Sequence, residues 1–307
     1  KARGNVDYVN DKVRQRFYAS TAPALAGANG RYIESSYSET LFNGELLAMF
    51  DKRLSPDWEF SATAGAGLND RTVNSLRIDS KTASLYFPNV FNVANIVMNG
   101  SAYVDEQIDA RRQTQSLFAT LQLGYKNMVF LDVTARNEWA SQLAFTPHMN
   151  IFYPSVGLSW VPTATFNMPD AISYLKIRGS IASVGMPFPR HLTVPTYEYD
   201  ATNKVWKDKT HYPIGDLKPE RTITYEVGLD ARLWQHINLS ASWYRADTKN
   251  QTFDPSLPPS SSYTTIYLQT GHVRNTGVEL SLGYDNQWRD FRWTTNFTYS
   301  WNKNEIR

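Results

Sequence analysis

Five histidines are the residues whose chemistry most readily supports a metal site or acid–base catalysis. No two stand at His-x-x-x-His spacing and none at Glu-x-x-His spacing, so a local zinc site is not indicated. No Gly-x-Ser-x-Gly elbow, P-loop or dinucleotide-binding motif occurs. We therefore expect no enzyme activity, no catalytic residue, no metal site and no cofactor. The histidines are His148, His191, His211, His236 and His272.

Aromatic side chains in two polar segments, 185–220 and 251–272, are better candidates for ligand contact. Rings among Asp, Asn and Lys suit stacking on sugar rings or contact with peptide side chains. The alternative is that they pack loop against loop or against a partner protein. Nucleic acid is disfavoured, because no basic stripe accompanies the rings. The candidate residues are Tyr197, Tyr199, Trp206, Tyr212, Phe253, Tyr263 and Tyr267.

Charged and apolar residues alternate in the segment LKPERTITYEVGLDARLW, residues 217–234. Every second residue from Ile223 to Leu233 is apolar, and the residues between them include Glu226 and Arg232. A period of two predicts a β-strand with one apolar and one polar face. The charges on the polar face must meet water or partners of opposite sign, because burying them unpaired is costly.

Ten segments alternate in this way, and no part of the chain shows a convincing apolar stripe of helical period. Each segment is roughly a dozen residues long, about twice the length of an ordinary globular strand. We therefore predict an all-β, antiparallel fold with almost no helix. The segments lie at about 40–52, 57–69, 114–125, 128–139, 151–162, 172–184, 221–234, 237–250, 273–285 and 289–303.

Short and long connections alternate between these segments. The long connections therefore gather at one end of the sheet and the tight turns at the other. Residues 1–39 are expected to be an outer loop or irregular segment, ahead of the strand-rich part of the chain at 40–307. The long loops are predicted near 70–113, 140–150, 185–220 and 251–272.

The composition of the 307 residues supports strands and argues against helical membrane spans. Aromatic residues make up 14% of the chain, which suits strands, and the mean hydropathy is −0.45. No apolar run reaches the roughly 18 residues of a transmembrane helix. The net charge of +2 does not indicate a nucleic-acid partner, and the lack of cysteine excludes disulfides.

Two architectures fit the alternation: a soluble sandwich, whose apolar faces meet inside, and a transmembrane β-barrel. The barrel is favoured because its tilted strands need about 9–11 residues and its turns are short on one side and long on the other. Aromatic residues beside the tight turns also fit a membrane-interface girdle. They are Tyr125, Trp160, Trp234 and Trp288.

In such a barrel, the face of Leu229 contacts lipid and the face of Glu226 lines a wet lumen. Glu226 has two interpretations, a functional role in the lumen or an ion pair that stabilises the wall. We favour the ion pair, with Arg178 or Arg232 as the partner. Glycines inside strands, such as Gly65, are expected to mark bending or a close approach of neighbouring backbone.

Several motifs resemble those of TonB-dependent outer-membrane transporters. The segment DLKPERT at 216–222, followed by YEVGL at 225–229, is similar to a family hallmark in which LKPE leads into a strand carrying E-x-G. Four further segments resemble the SusC/RagA branch of that family in Bacteroidetes, in matching order over roughly 115–307. They are YPSVGLSW at 153–160, LKIRGS at 175–180, NTGVEL at 275–280 and FTYSWNKN at 297–304.

The resemblance implies energised nutrient uptake across the bacterial outer membrane. It implies an oligosaccharide or oligopeptide substrate, a SusD-like surface lipoprotein as partner, TonB acting through a plug domain, and outer-membrane lipid around the wall. The family barrel has about 22 strands, whereas about ten are visible here, without plug or aromatic-terminated last strand. We therefore expect the chain to be an internal portion of a longer protein, with residues 40–307 as a partial β-barrel.

Two other functions stay open from the sequence. A complete ten-stranded barrel would be a passive channel or an adhesin, since even strand numbers from about 8 upward close. An outer-membrane hydrolase would gather a serine, a histidine and an acid at one rim. A plug domain in the parent protein would favour the transporter over both.

Overall fold

The computed structural model describes residues 1–83, 85–98, 102–200, 205–208, 211–258 and 260–307. Strands dominate these ranges, whose one α-helix is the single turn α1, Pro162–Thr165. Nothing helical in these ranges has the length and apolarity needed to cross a membrane. The strands in chain order are β1 (Ala2–Phe17), β2 (Arg31–Arg53), β3 (Trp58–Asp79), β4 (Tyr103–Tyr125), β5 (Val129–Ala140), β6 (Asn150–Trp160), β7 (Ile172–Met186), β8 (Tyr197–Asp200), β9 (Val205–Asp208), β10 (His211–Tyr212), β11 (Glu220–Leu233), β12 (Ile237–Phe253), β13 (Thr265–Ile266), β14 (Leu268–Trp288) and β15 (Phe291–Ile306).

Eleven of these strands form one sheet in which every neighbouring pair is antiparallel. The order is β1-β2-β3-β4-β5-β6-β7-β11-β12-β14-β15, which follows the chain. The short strands β8 and β9 pair with each other, as do β10 and β13. The predicted antiparallel all-β fold is confirmed, and it contains all ten predicted strands.

The register gives the sheet one apolar and one polar face. Leu229 of β11 pairs with Ala241 of β12, which pairs with Leu280 of β14. One residue along, Asp230 pairs with Ser240. We call the Leu229 face the outer face and the Asp230 face the inner face. Because antiparallel partners share a face, this division extends across the sheet.

The apolar outer face has no protein layer packed on it in the described part of the chain. Val227 is 54% exposed and Leu117 57% exposed, although both lie in the middle of long strands. The buried apolar residues instead form two clusters at the ends of the strands, around Leu143 and around Leu85. A soluble sandwich would bury this face, so its partner is lipid.

The tight turns lie at one end of the sheet. Two of them, at Lys126–Asn127 and Trp234–Gln235, contain two consecutive residues with left-handed φ, between 46° and 63°. This backbone is typical of the type I′ turn, whose twist matches that of antiparallel strands. Aromatic residues flank the tight turns: Tyr125, one of the residues predicted for the interface girdle, has its ring 4.7 Å from that of Trp58.

The structure differs from the sequence prediction at residues 1–39 and 70–113. Residues 2–17 form β1, paired along its length with β2, so this region is a strand followed by the loop 18–30. The strands β3 and β4 extend past their predicted ends, which shortens the loop to 80–102. These strand ends rise above the apolar band and carry polar residues on both faces, so alternation does not mark them.

Candidate functional site

Arg178 and two carboxylates form a charged row on the inner face. The Arg178 Nη2 lies 3.3 Å from Oε1 of Glu226, and its Nε lies 3.8 Å from Oδ2 of Asp230. The second distance is too long for a hydrogen bond, so the contact with Asp230 is electrostatic. The predicted ion pair of Glu226 with Arg178 is confirmed. Arg232 instead donates a hydrogen bond to the carbonyl of Gln235 at 3.0 Å.

Gly228 makes this arrangement possible, because it leaves the space that the Arg178 side chain fills. A Cβ at Gly228 would lie 2.4 Å from the Arg178 Nε. The E-x-G pattern of β11 therefore has a local cause: Glu226 supplies charge, and Gly228 supplies room for the guanidinium of the neighbouring strand. Sequence alone marks a close approach at such a glycine but does not identify Arg178 as the group that approaches.

Two further glycines of the inner face act in the same way for aromatic rings. A Cβ at Gly277 would lie 2.5 Å from the Tyr244 ring, and a Cβ at Gly65 would lie 2.4 Å from the Phe118 ring. The close approach expected at Gly65 is confirmed, and the approaching group is a side chain.

Hydrogen-bonded polar pairs continue the inner face across the other strands. Arg71 of β3 donates to Glu39 of β2, with Nε 2.6 Å from Oε1. Gln122 of β4 donates to Asp132 of β5 at 2.7 Å. Both pairs lie on the face opposite the apolar residues. The inner face is therefore a polar wall that carries charges of both signs.

The long connections at the other end of the sheet pack into one body. Leu143 of loop 141–149 and Leu217 of loop 187–219 are both at most 1% exposed and share a cluster with Phe188. His148 and Asp216 join the same two loops, with Nε2 3.2 Å from Oδ1. We call these two loops, together with loop 254–267, the rim.

The loop 254–267 joins the rim through backbone pairing. The short strands β10 and β13 pair in parallel, and the His211 Nδ1 contacts the Thr265 hydroxyl. The amide of Lys218 also donates to the Gln269 side-chain oxygen at 2.6 Å. The pairing of β10 with β13 fixes loop 187–219 against loop 254–267, and the Lys218 contact fixes it against the start of β14.

The predicted aromatic residues divide into exposed and packed groups. Tyr197, Tyr199 and Trp206 stand on the β8–β9 hairpin, where Trp206 is 70% exposed and its ring lies 5.2 Å from that of Tyr199. These three rings are accessible to a ligand or a partner. Their role in binding stays a prediction.

The remaining predicted rings mostly hold the rim together. The rings of Tyr212 and Tyr263 meet edge to face at 5.3 Å, and Tyr267 packs on His211 at 5.1 Å. The Phe253 ring covers Gly271, where a Cβ would lie 2.6 Å from it. Packing of loop against loop therefore accounts for Tyr263 and Tyr267.

The long loops also carry exposed aromatic rings outside the predicted set. Phe145 is fully exposed in loop 141–149, with φ of 64°. Tyr86 and Phe87 are more than 60% exposed in loop 80–102. Their sequence signal was an aromatic residue within a long loop, the same signal that selected Trp206.

A bidentate ion pair anchors loop 80–102. Arg31 donates from Nε and Nη2 to the two oxygens of Asp79 at 2.9 and 2.8 Å, and the amide of Lys81 donates to the same carboxylate at 2.8 Å. Burial raises the pKa of Asp79, but the hydrogen bonds from Arg31, Lys81 and Arg77 outweigh it and lower the pKa to about 2. Asp79 is therefore charged at every physiological pH.

The histidines of the described residues form no metal centre. His148 contacts Asp216, whereas His272 lies 3.4 Å from Asp247, so these two histidines do not meet. Within the described ranges, no three His, Asp or Glu residues gather as metal ligands would. The arrangement thus offers contact surfaces and a polar wall.

Comparison with known proteins agrees with this geometry. Residues 1–307 match the family described as TonB dependent receptor-like, beta-barrel. The TonB-dependent receptor P3 of Formosa agariphila is 25% identical over 226 residues, which cover 69% of this chain and 22% of that protein. The TonB-dependent receptor P39 of the same organism is 26% identical over 200 residues, covering 62% and 19%.

Solved structures show the same fold. The RagAB peptide transporter superposes with a TM-score of 0.83 at 17% identity, over 99% of this chain and 34% of that one. The outer-membrane transporter YddB of Escherichia coli gives a TM-score of 0.60 at 12% identity, over 90% and 34%. The chain thus spans about a fifth of the length of the curated relatives and a third of these transporters. The chain belongs to the family of TonB-dependent receptor β-barrels, which reside in the bacterial outer membrane.

Proposed function

We propose that the protein containing this chain imports an oligopeptide or an oligosaccharide across the outer membrane, with TonB supplying the energy and a SusD-like lipoprotein capping the barrel. The observation that carries the proposal is the rim. Three long loops pack into one body that presents exposed aromatic rings at the mouth of a polar wall. This construction suits capture of a solute before passage.

Of the two substrate classes, an oligopeptide fits the wall better. Arg178, Glu226 and Asp230 offer both signs of charge in one row. A peptide carries a charged amine, a charged carboxylate and side chains of either sign, which such a row complements. The description of RagAB as a peptide transporter supports the same choice.

The exposed rings of the rim are assigned to the substrate or the lipoprotein. Tryptophan and tyrosine contribute disproportionately to protein interfaces because they bury much surface with few rotatable bonds. Trp206 and Tyr197 project from the β8–β9 hairpin, and Phe145 projects from loop 141–149. The packed rings of Tyr263 and Tyr267 serve instead to hold the rim in place.

The test is depletion of a defined mixture of oligopeptides and oligosaccharides from the medium, followed by mass spectrometry, in host cells with and without the gene. We expect depletion of oligopeptides that requires the gene and stops when a protonophore removes the energy source. Trp206→Ala should slow uptake at limiting substrate, while Trp288→Ala, at a tight turn, should not.

Each alternative function predicts a different outcome. Depletion that persists in the presence of the protonophore would indicate a passive channel. Shortened products in the medium would indicate a hydrolase. Equal depletion with and without the gene would refute import by this protein.

A further inference from the structure

The outer face of β12, β14 and β15 changes from aromatic to basic within one step along the strands. Trp243 and Trp301 lie in one cross-strand row, each paired with the same valine of β14. In the next row of the same face, Arg245 and Lys303 are paired with one threonine of β14. On β12 and β15, the aromatic residues of the outer face are therefore followed directly by cations.

In the row after that, Arg274 of β14 lies between two carboxylates, Asp247 of β12 and Glu305 of β15. Arg245 and Arg274 both donate from Nε to Asp247, at 2.8 and 2.6 Å. Their terminal Nη groups have no hydrogen-bond partner among the described residues. Asp247 thus holds two guanidinium groups side by side without neutralising both.

A second carboxylate organises the neighbouring cations in the same way. Glu305 contacts the Lys303 ammonium and accepts a hydrogen bond from the Arg307 Nη2 at 2.7 Å. Four cations face two carboxylates in this outer cationic cluster, which leaves a surplus of two positive charges. The cluster consists of Arg245, Asp247, Arg274, Lys303, Glu305 and Arg307.

The height of the cluster places it at the level of lipid headgroups. The outer-face aromatic and apolar residues of β15 run from Phe291 beside a tight turn to Trp301. At about 3.4 Å per residue and a tilt near 40°, this stretch is about 26 Å tall, which matches the apolar band of an outer-membrane barrel. The cluster begins directly above it, at the end of the sheet where the long loops lie.

We propose that the outer cationic cluster binds the phosphate groups of a phosphorylated glycolipid in the outer leaflet. The charge surplus and the free guanidinium edges suit a phosphate, since arginine can engage phosphate oxygens with two parallel N–H donors. The aromatic row of Trp243 and Trp301 lies beneath and suits the boundary between headgroup and acyl chain. The cations hold the phosphate of the lipid, and the tryptophans beneath them contact the start of its acyl chains.

The test uses the full-length protein, purified from its own outer membrane in mild detergent, and measures lipid A retained per protein by native mass spectrometry. The triple variant Arg245→Gln, Lys303→Gln, Arg307→Gln removes three cations and keeps Arg274 to hold Asp247. Retained lipid A is expected to fall roughly tenfold or more, because each cation near an anionic lipid surface adds substantially to affinity.

A matched triple variant separates this site from a general charge effect. Arg53→Gln, Lys126→Gln, Arg289→Gln removes three cations beside the tight turns, at the other membrane surface. It should retain lipid A as the wild type does. Heat-modifiable gel mobility verifies that both variants are folded, and Lys303→Gln alone, with a smaller loss expected, replaces the triple variant if that one is not.

Adding ligand back to delipidated protein identifies the source of the phosphate. Lipid A should bind, lipid A with its phosphates removed should not, and millimolar inorganic phosphate should fail to compete. Unchanged retention in the cluster variant would overturn the proposal, as would an equal loss in the control variant. Effective competition by inorganic phosphate would also overturn it, because the site would then bind free phosphate.

Discussion

Arg178 and Gly228 lie on neighbouring strands, and the glycine leaves the space that the arginine side chain fills. The guanidinium lies where a Cβ of residue 228 would be, and from there it reaches both Glu226 and Asp230. The glycine thus has a packing role for a neighbouring side chain, since its backbone at this position is that of an ordinary strand. Because Gly228 has no side chain, Arg178 of β7 can reach both carboxylates of β11.

Gly228→Ala is therefore expected to destabilise the barrel by about 1 kcal/mol or less, because the added Cβ displaces the flexible Arg178 side chain from its partly exposed carboxylate partners. Gly157→Ala is the matched control, since its Cβ would meet its nearest neighbours at 3.8 Å, an ordinary contact. Denaturant unfolding of the full-length protein in detergent, followed by tryptophan fluorescence, measures both. Equal stability of the two variants would contradict the packing role.

The ion pair at Asp79 predicts a pH dependence for loop 80–102. The folded pKa of Asp79 is lowered from 3.8 to about 2, so the stabilisation is complete above about pH 4 and is lost as the pH falls toward 2. A lowering of this size corresponds to on the order of 2 kcal/mol. The protection of amides in residues 80–83 and 85–98, which is the exchange rate corrected for the intrinsic rate at each pH, should be high at pH 5 and fall below pH 4.

The variant Asp79→Asn separates this ion pair from general acid effects. It should accelerate exchange in loop 80–102 already at neutral pH, because Arg31 then loses a charged acceptor. Asp57→Asn, in an exposed turn pair with Lys126, serves as the control and should leave the loop unchanged. Slow exchange in Asp79→Asn at neutral pH would show that the apolar contacts around Leu85 hold the loop alone.

At the scale of elements, alternation predicted the parts of strands that cross the membrane and missed the parts that do not. The strand β11 was recognisable because Ile223–Leu233 must be apolar on one side only. The strand β1 was not recognisable. Its residues Arg3, Asp7 and Asp11 face a wet lumen, but only a few residues on its outer face are apolar. Where water contacts both faces, the sequence is free to be polar and carries no period.

The rim was predictable as aromatic loops but not as one packed body. Contacts such as Leu143 with Leu217, or β10 with β13, join residues more than 50 positions apart. No local pattern encodes such pairs. The sequence therefore identified Trp206 and Tyr267 alike as candidates, and packing then separated the exposed ring from the one that supports the rim.

Leu217→Ala is expected to loosen the rim, because it removes a side chain that is 1% exposed from the cluster around Leu143. Large-to-small changes at such sites cost about 2–5 kcal/mol. Limited proteolysis should cut loop 187–219 faster, while the heat-modifiable mobility of the barrel stays normal. Leu25→Ala, at a half-exposed loop position, is the control. Unchanged proteolysis in Leu217→Ala would contradict a packed rim.

At the scale of the whole molecule, the two faces of the sheet differ in chemical character. The outer face exposes large apolar residues that no described element covers, and the inner face carries ion pairs and polar hydrogen bonds. A large exposed apolar face would be unfavourable in water, and a charged face would be unfavourable in lipid. Together they assign lipid to one side and a wet lumen to the other.

The most direct test of this assignment is site-directed spin labelling of the full-length protein in lipid bilayers. This portion of the protein has no cysteine, so a cysteine introduced at Leu280, Ser281, Leu229 or Asp230 is the one thiol within it, and any cysteine elsewhere in the protein is replaced by serine. Collision with oxygen, which concentrates in lipid, should dominate at Leu280 and Leu229. Collision with a water-soluble nickel complex should dominate at Ser281 and Asp230. Equal access of the nickel complex to all four positions would contradict the lipid-facing sheet.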